Sequence, residues 1–236
     1  MERFSYQERT GLDIALHSLI IPEENPVLDS MALSIKESEK YVQKILEEDP
    51  DNELGSHDLV FEEGCLVDDL VGIAFVVCQR GITSVVSSYS FLQKQWVKHR
   101  ETIHKDKPKK DFVGIPISSN NLKRELMGVV NPSLGSFSKI SVIDAFANYY
   151  KHRDEWTNDW NGMDDSLRMK TAEIVRFCGA DPGSLSSNCR QGYLKLTGET
   201  YFGRLDLLWT IVTGWANEIR NRCFDDLDRC GCYPEK

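Results

Sequence analysis

Residues 141–156 read SVIDAFANYYKHRDEW, and they interleave apolar and chemically capable side chains more tightly than any other part of the chain. The apolar residues recur at spacings of three and four, at Val142, Ile143, Phe146, Tyr149 and Tyr150. That spacing is typical of one face of an α-helix. We therefore predict an amphipathic helix over this stretch, with Ser141 as its N-cap.

The polar residues of the same stretch form a second stripe. Asp144, Asn148 and His152 recur every four residues, so a helix places them one above the other, with Lys151 beside them. Asn148 and His152 are the candidate catalytic pair, and Asp144 and Lys151 are candidate binding residues along the same edge. The competing interpretation is that these side chains satisfy polar groups of a neighbouring helix, as polar side chains at helix seams usually do.

Helical spacing of apolar residues recurs elsewhere, and strand signals are scarce. It is clear at residues 26–48, 56–100, 167–178 and 205–222, and weaker at residues 12–21 and 184–196. The longest stretch contains nine uncharged residues, 70–78, which are too few for a membrane span. We predict an all-α helical bundle of about five to seven helices. Residues 1–54 are expected to form an N-terminal helical extension, and residues 55–236 the main helical domain.

The central helix resembles a motif of the HEPN superfamily, a group of helical bundles that often act as metal-independent ribonucleases. Its members carry an arginine, then an Asn, Asp or His, three variable residues and a histidine on one helix. Asn148 and His152 keep this spacing, whereas Ala147 stands at the position of the arginine. The string ANYYKHRDEW also resembles a signature of uncharacterised bacterial helical proteins related to HEPN modules.

The missing arginine separates two functional predictions. The resemblance implies that this arginine stabilises negative charge on phosphate while the histidine acts on the attacking hydroxyl, and an alanine supplies no charge. The first prediction is therefore a non-catalytic HEPN-like binding protein of a bacterial conflict or defence system, similar to an immunity protein or antitoxin. The alternative is a metal-independent ribonuclease that uses His152 and Asn148 with Arg153 or Arg100 and requires a homodimer. A purely structural subunit is a third alternative.

The charge of the chain is negative and unevenly distributed. The net charge is −9, and residues 1–70 alone hold 18 acidic and 5 basic side chains. Such a balance disfavours general affinity for nucleic acid and suits a basic protein partner. RNA is expected as a partner only under the ribonuclease alternative. A solvated acidic surface without a partner is the competing interpretation.

Basic residues cluster between residues 98 and 110, in an irregular loop that continues to residue 121. Arg100 and Lys105 are candidate binding residues there, because such side chains contact phosphate groups. A solvated connection is the alternative reading of a lysine-rich loop. Residues 111–116 leave room for one short strand.

Cysteine usage and the lack of known motifs limit the cell compartment, metal sites and cofactors that the sequence predicts. The seven cysteines are scattered and odd in number, which favours a reducing cytoplasm over a disulfide framework. Neither the cysteines of the tail nor the acidic residues after Trp156 have the spacing of a zinc or calcium site. The N-terminal sequence MERFSYQERT lacks the apolar core of a signal peptide, and the chain contains no phosphate-binding loop. We therefore predict a cytoplasmic protein that uses no metal, cofactor or membrane.

Overall fold

The computed structural model describes residues 6–51, 55–103, 121–128, 133–156, 160, 166–181 and 187–229. This part of the chain contains eight α-helices: α1 (Tyr6–His17), α2 (Pro26–Glu48), α3 (Ser56–Ile103), α4 (Leu122–Gly128), α5 (Lys139–His152), α6 (Ser166–Phe177), α7 (Asn188–Thr197) and α8 (Asp206–Arg229). The all-α fold class is thus confirmed, with more helices than the five to seven expected. The predicted strand at residues 111–116 and the basic loop from residue 104 onward lie outside the described residues.

Local signals account for the start of α2. The side chain of Asn25 accepts hydrogen bonds from the backbone N–H groups of Val27 and Leu28, at 3.2 and 3.4 Å. Pro26 occupies the first turn, where its fixed φ suits the helix and its missing N–H costs nothing. The predicted bounds of this helix, residues 26–48, are confirmed.

The start of α5 corrects the predicted N-cap. Two short antiparallel strands, β1 (Ser133–Leu134) and β2 (Phe137–Ser138), precede the helix, and Gly135 turns the chain between them with a φ of 60°. The hairpin delivers Ser138 to the cap position, where its hydroxyl accepts from the N–H of Ser141 at 3.1 Å. Ser141 is therefore the third residue of α5 rather than its cap. A 3₁₀ turn, Arg153–Glu155, follows the helix.

The chain forms two compact units, and α3 and α8 contribute residues to both. The first unit comprises Met1–Pro22, Arg80–Pro132 and Val212–Lys236. Its buried side chains include Leu16, Tyr89, Leu126 and Trp215, and the indole N–H of Trp215 donates to the carbonyl of Leu126 at 3.0 Å. Burial of such large side chains is the main stabilising term of the unit.

The second unit comprises Glu23–Gln79 and Ser133–Ile211, and it contains α5. Phe75 of α3 and Phe146 of α5 are fully buried, and their rings stack with centroids 5.1 Å apart. This stacking joins α5 to α3 on the apolar face of α5. The division of the chain after residue 54 stays a prediction.

One described helix is long and apolar enough to cross a membrane by length and composition alone. The stretch Ser56–Val97 of α3 has this property, and half of its apolar window is buried inside the folded chain. Core helices of soluble proteins pass the same test, so the burial is consistent with a soluble protein.

Candidate functional site

Gln79 of α3 contacts the polar edge of α5 at three residues. The amide nitrogen of Gln79 donates to Asp144 Oδ1 at 2.6 Å and to Asn148 Oδ1 at 2.9 Å. The amide oxygen of Gln79 accepts from Lys151 Nζ at 2.7 Å. One glutamine therefore contacts three residues that lie on one edge of α5 because they are four and three positions apart. Of the sequence-predicted residues, Asp144, Asn148 and Lys151 are brought together in this way.

His152 lies apart from this group. Its side chain is 51% exposed, and Nδ1 lies 3.0 Å from Oε1 of Glu155. Glu155 also accepts from the guanidinium of Arg168 at 2.7 Å. His152 is the last residue of α5, so its ring pairs with the 3₁₀ turn that follows rather than with the residues that Gln79 contacts.

Arg153 is paired with a carboxylate. Its Nη1 donates to Asp69 Oδ1 at 2.6 Å, and its guanidinium carbon lies 4.7 Å from the centroid of the Tyr150 ring. The hydrogen bond that Arg153 donates to Asp69 raises the pKa of Arg153 further above its already high value. The guanidinium therefore stays charged and is held by two neighbours from α3 and α5.

Ala147 occupies the position at which the HEPN motif has its arginine, and it is fully buried. It lies on the apolar face of α5 next to Phe146, which is also fully buried. A guanidinium placed there would enter the core, where an uncompensated charge is very costly. The burial of this position therefore accounts for a small apolar residue at 147.

A further polar cluster joins α3 to the N-terminus of α7. Asp68 is almost fully buried, and its Oδ1 accepts from the backbone N–H of Arg190 at 2.9 Å. Arg190 is the third residue of α7, and the N-cap Ser187 makes no side-chain capping bond, so the Asp68 carboxylate takes the capping role. Burial raises the pKa of Asp68 despite this contact.

Asn188 opens α7 and ties it to α5. Its side-chain amide donates to the Tyr149 hydroxyl at 2.8 Å and to the carbonyl of Asp181 at 2.9 Å. Burial raises the pKa of Tyr149, so its hydroxyl stays protonated. Sequence reasoning missed both α7 contacts. The only signal was the pair Asp68 and Asp69, directly before the uncharged run of residues 70–78.

The remaining predicted binding residues belong to the basic cluster, and its first part is helical rather than a loop because α3 continues to Ile103. Arg100 lies within the helical backbone of α3, and its side chain is outside the described part; Lys105 lies wholly outside the described residues. Their binding roles stay predictions. Within the described ranges, no group of three or more His, Cys, Asp or Glu is arranged to hold a metal ion.

An exposed apolar stripe runs along the N-terminal part of α3. Leu59, Leu66 and Ile73 are spaced by seven residues and are 42%, 47% and 40% exposed. A spacing of seven keeps the three side chains on one side of the helix. Half-buried Leu70 and Val77 extend the same side. Sustained apolar exposure of this kind marks an interaction surface more often than isolated exposed residues do.

Comparison with known proteins gives no relative from which to transfer a function. No protein-family model, no curated protein and no solved structure matches the chain.

Proposed function

We propose that the chain is a non-catalytic, HEPN-like helical binding protein of a bacterial conflict or defence system, acting in the cytoplasm like an immunity protein or antitoxin. The observation that carries the proposal is the exposed stripe of Leu59, Leu66 and Ile73 on α3. A soluble protein rarely leaves a regular row of large apolar side chains in water unless a partner covers it.

The charge around the stripe indicates what kind of partner fits. Asp58 and Glu62 are exposed beside Leu59 and Leu66, and residues 1–70 as a whole are strongly acidic. An amphipathic helix with apolar anchors and lysine or arginine at its flanks complements both the stripe and its charge. Opposite charges at the rim speed association and discriminate against acidic partners.

The polar edge of α5 supports a binding protein rather than an enzyme. Ala147 supplies no charge, and the nearest replacement that the sequence offered, Arg153, is engaged by Asp69. Asn148 is engaged by Gln79, and His152 contacts Glu155. A general base and a charge-stabilising cation must converge on one reacting phosphate, and these side chains have separate partners instead.

The ribonuclease alternative is tested by incubating total cellular RNA, tRNA included, with purified wild type and His152→Ala in the presence of chelator. We expect no cleavage by either protein. Cleavage by the wild type that His152→Ala abolishes would establish the ribonuclease and overturn the proposal.

The binding proposal is tested by affinity capture of the full chain with its bound partner from cells, without cross-linking, and by comparing Leu66→Asp with Leu33→Asp. Leu33 is 58% exposed on α2, outside the stripe, so it controls for the added charge. We expect wild type and Leu33→Asp to retain the same basic protein, with release at high salt, and Leu66→Asp to lose it. Equal retention by both variants, or retention of acidic proteins only, would contradict a partner at the stripe.

A further inference from the structure

A cavity of about 490 Å³ opens in the second unit between α2, α3 and α7. Its wall is apolar, formed by Val42 and Leu46 of α2, Val60 and Val67 of α3, and Phe202. The volume falls within the range of pockets that hold small organic ligands. None of these side chains belongs to the exposed stripe of α3, so the cavity is a separate feature.

The cavity interrupts the core-facing side of α2. Leu28 and Ile35 are fully buried on that side, and Val42 follows at the same seven-residue spacing. Yet Val42 is only half-buried, and Leu46 one turn later is 37% exposed. The apolar side of α2 that packs against the core in the first half of the helix therefore faces an open space in the second half. Apolar surface left at such a place is available to a ligand with an apolar body.

The charged groups at the cavity are mostly carboxylates. Glu39, Glu47 and Glu63 line it, and Glu63 accepts a hydrogen bond from the hydroxyl of Ser38. The single cation among the lining residues is Arg190. The lining therefore carries a net negative charge.

Arg190 is already balanced by a buried carboxylate. Its backbone N–H donates to Asp68, and its Nε lies 3.8 Å from Asp68 Oδ1. The guanidinium carbon lies 5.9 Å from the centroid of the Phe202 ring, a distance compatible with a cation–π contact. Since Asp68 offsets Arg190, the potential inside the cavity is set by the glutamates.

The carboxylate of Glu39 lacks full compensation. Burial raises its pKa, which means that desolvation outweighs any favourable charge nearby. A cation bound in the cavity would reverse that balance, because an opposite charge within a few ångströms favours the ionised form.

We propose that this cavity binds an organic cation with an apolar body. The ammonium group would lie near Glu39, in the negative potential to which Glu47 and Glu63 also contribute, and the apolar body would pack against Val42, Leu46 and Val60. This assignment does not depend on the partner proposed for α3, because the two sites share no residue. An anion held by Arg190 is the opposite assignment, and the same experiment separates the two.

The test uses three probes with one apolar body: phenylbutylamine, phenylbutanol and phenylbutyrate. Each is titrated at low salt into the isotopically labelled full chain, and binding is followed by NMR shifts of the amides of α2 and α3. We expect the amine to bind more tightly than the alcohol, and the carboxylate to bind most weakly. Tighter binding of the carboxylate, or no saturable shift with any probe, would overturn the proposal.

Variants separate the charge from the apolar wall. Partly exposed ion pairs contribute modestly, so the double variant Glu39→Gln, Glu47→Gln should weaken the amine about tenfold and leave the alcohol within about twofold. Glu48→Gln, in the same turn of α2 but outside the lining, is the matched control and should change neither. Val42→Trp fills the space and should abolish binding of all three probes. Unchanged amine affinity in the double glutamine variant would refute the role of the carboxylates even if Val42→Trp fails to fold.

Discussion

Replacement of Gln79 by leucine tests whether this side chain joins α3 to α5. The substitution keeps a similar volume and removes the three contacts with Asp144, Asn148 and Lys151. A hydrogen bond to a charged group contributes about 1.5–3 kcal/mol and a neutral one about 0.5–1.5 kcal/mol. Two of the contacts involve charged groups and one is neutral, so the low ends of these ranges give about 3.5 kcal/mol.

Two effects reduce this value. Lys151 is exposed, and Asp144 and Asn148 are half-buried, so all three regain water when Gln79 is lost. Burial of the leucine side chain at a site that is 8% exposed returns about 1.5 kcal/mol. We therefore expect Gln79→Leu to lower the free energy of unfolding by about 2 kcal/mol, measured by urea denaturation followed by circular dichroism.

A double-mutant cycle assigns the loss to the proposed contact. Gln79→Leu and Asn148→Ala together should be less destabilising than the sum of the single changes, with a coupling of about 1 kcal/mol. Gln43→Leu is the matched control, because Gln43 is exposed and its amide donates to Glu47 four residues on, at 3.2 Å. That control should stay within about 0.5 kcal/mol of wild type. A loss for Gln79→Leu no larger than for Gln43→Leu would refute the reasoning.

Gly192→Ala and Asp68→Asn probe the packing and the buried charge of the second unit, and Gly214→Ala, in the first unit, is the control for the glycine change. A Cβ at Gly192 would lie 2.6 Å from the Phe146 ring, so Gly192→Ala should destabilise the protein by about 1–3 kcal/mol in the same urea assay. A Cβ at Gly214 of α8 would enter open space, so Gly214→Ala should stabilise the protein by about 0.5–1 kcal/mol. Burial raises the pKa of Asp68 above its usual 3.8, so the folded state binds the carboxyl proton more tightly than the unfolded state does. The folded state therefore loses stability as the pH rises from 3.8 through the pKa that Asp68 has in the folded state. Asp68→Asn cannot ionise and should gain stability relative to wild type as the pH is raised from 3.8 toward neutrality; a pH-independent difference would contradict the burial argument.

Local signals in the sequence were sufficient where a single segment decides the structure. The bounds of α2 follow from Asn25, Pro26 and the break at Pro50, all of which act on their own neighbours. The apolar face of α5 likewise follows from its spacing, since Val142, Phe146 and Tyr149 are buried. Helical periodicity identifies which side of a segment is buried, and the all-α class follows from repeating this pattern along the chain.

Helical periodicity does not predict which segments contact one another. Ser138 and Ser141 are both suitable caps, and the hairpin of β1 and β2 determines that Ser138 is used. Gln79 of α3 contacts α5, and Asp69 contacts Arg153 in the turn that follows α5, whereas the neighbouring Asp68 contacts α7. A change of about 100° between successive residues separates these two aspartates, and which helix lies on each side depends on the tertiary packing.

The same geometry explains why the Asn–His spacing of α5 does not form a joint site in this chain. Asn148 lies inside the helix and is held by Gln79, while His152 is the terminal residue and pairs with the turn that follows. Ala147 precedes Asn148 by one position, and that rotation places it in the core, fully buried. Placing an arginine at 147 would require opening the contact between α5 and its neighbours, so the tight packing of this helix accounts for an uncharged residue at this position. The polar edge of α5 therefore packs against α3, and under the proposed binding function recognition would fall to exposed surfaces such as the stripe of Leu59, Leu66 and Ile73.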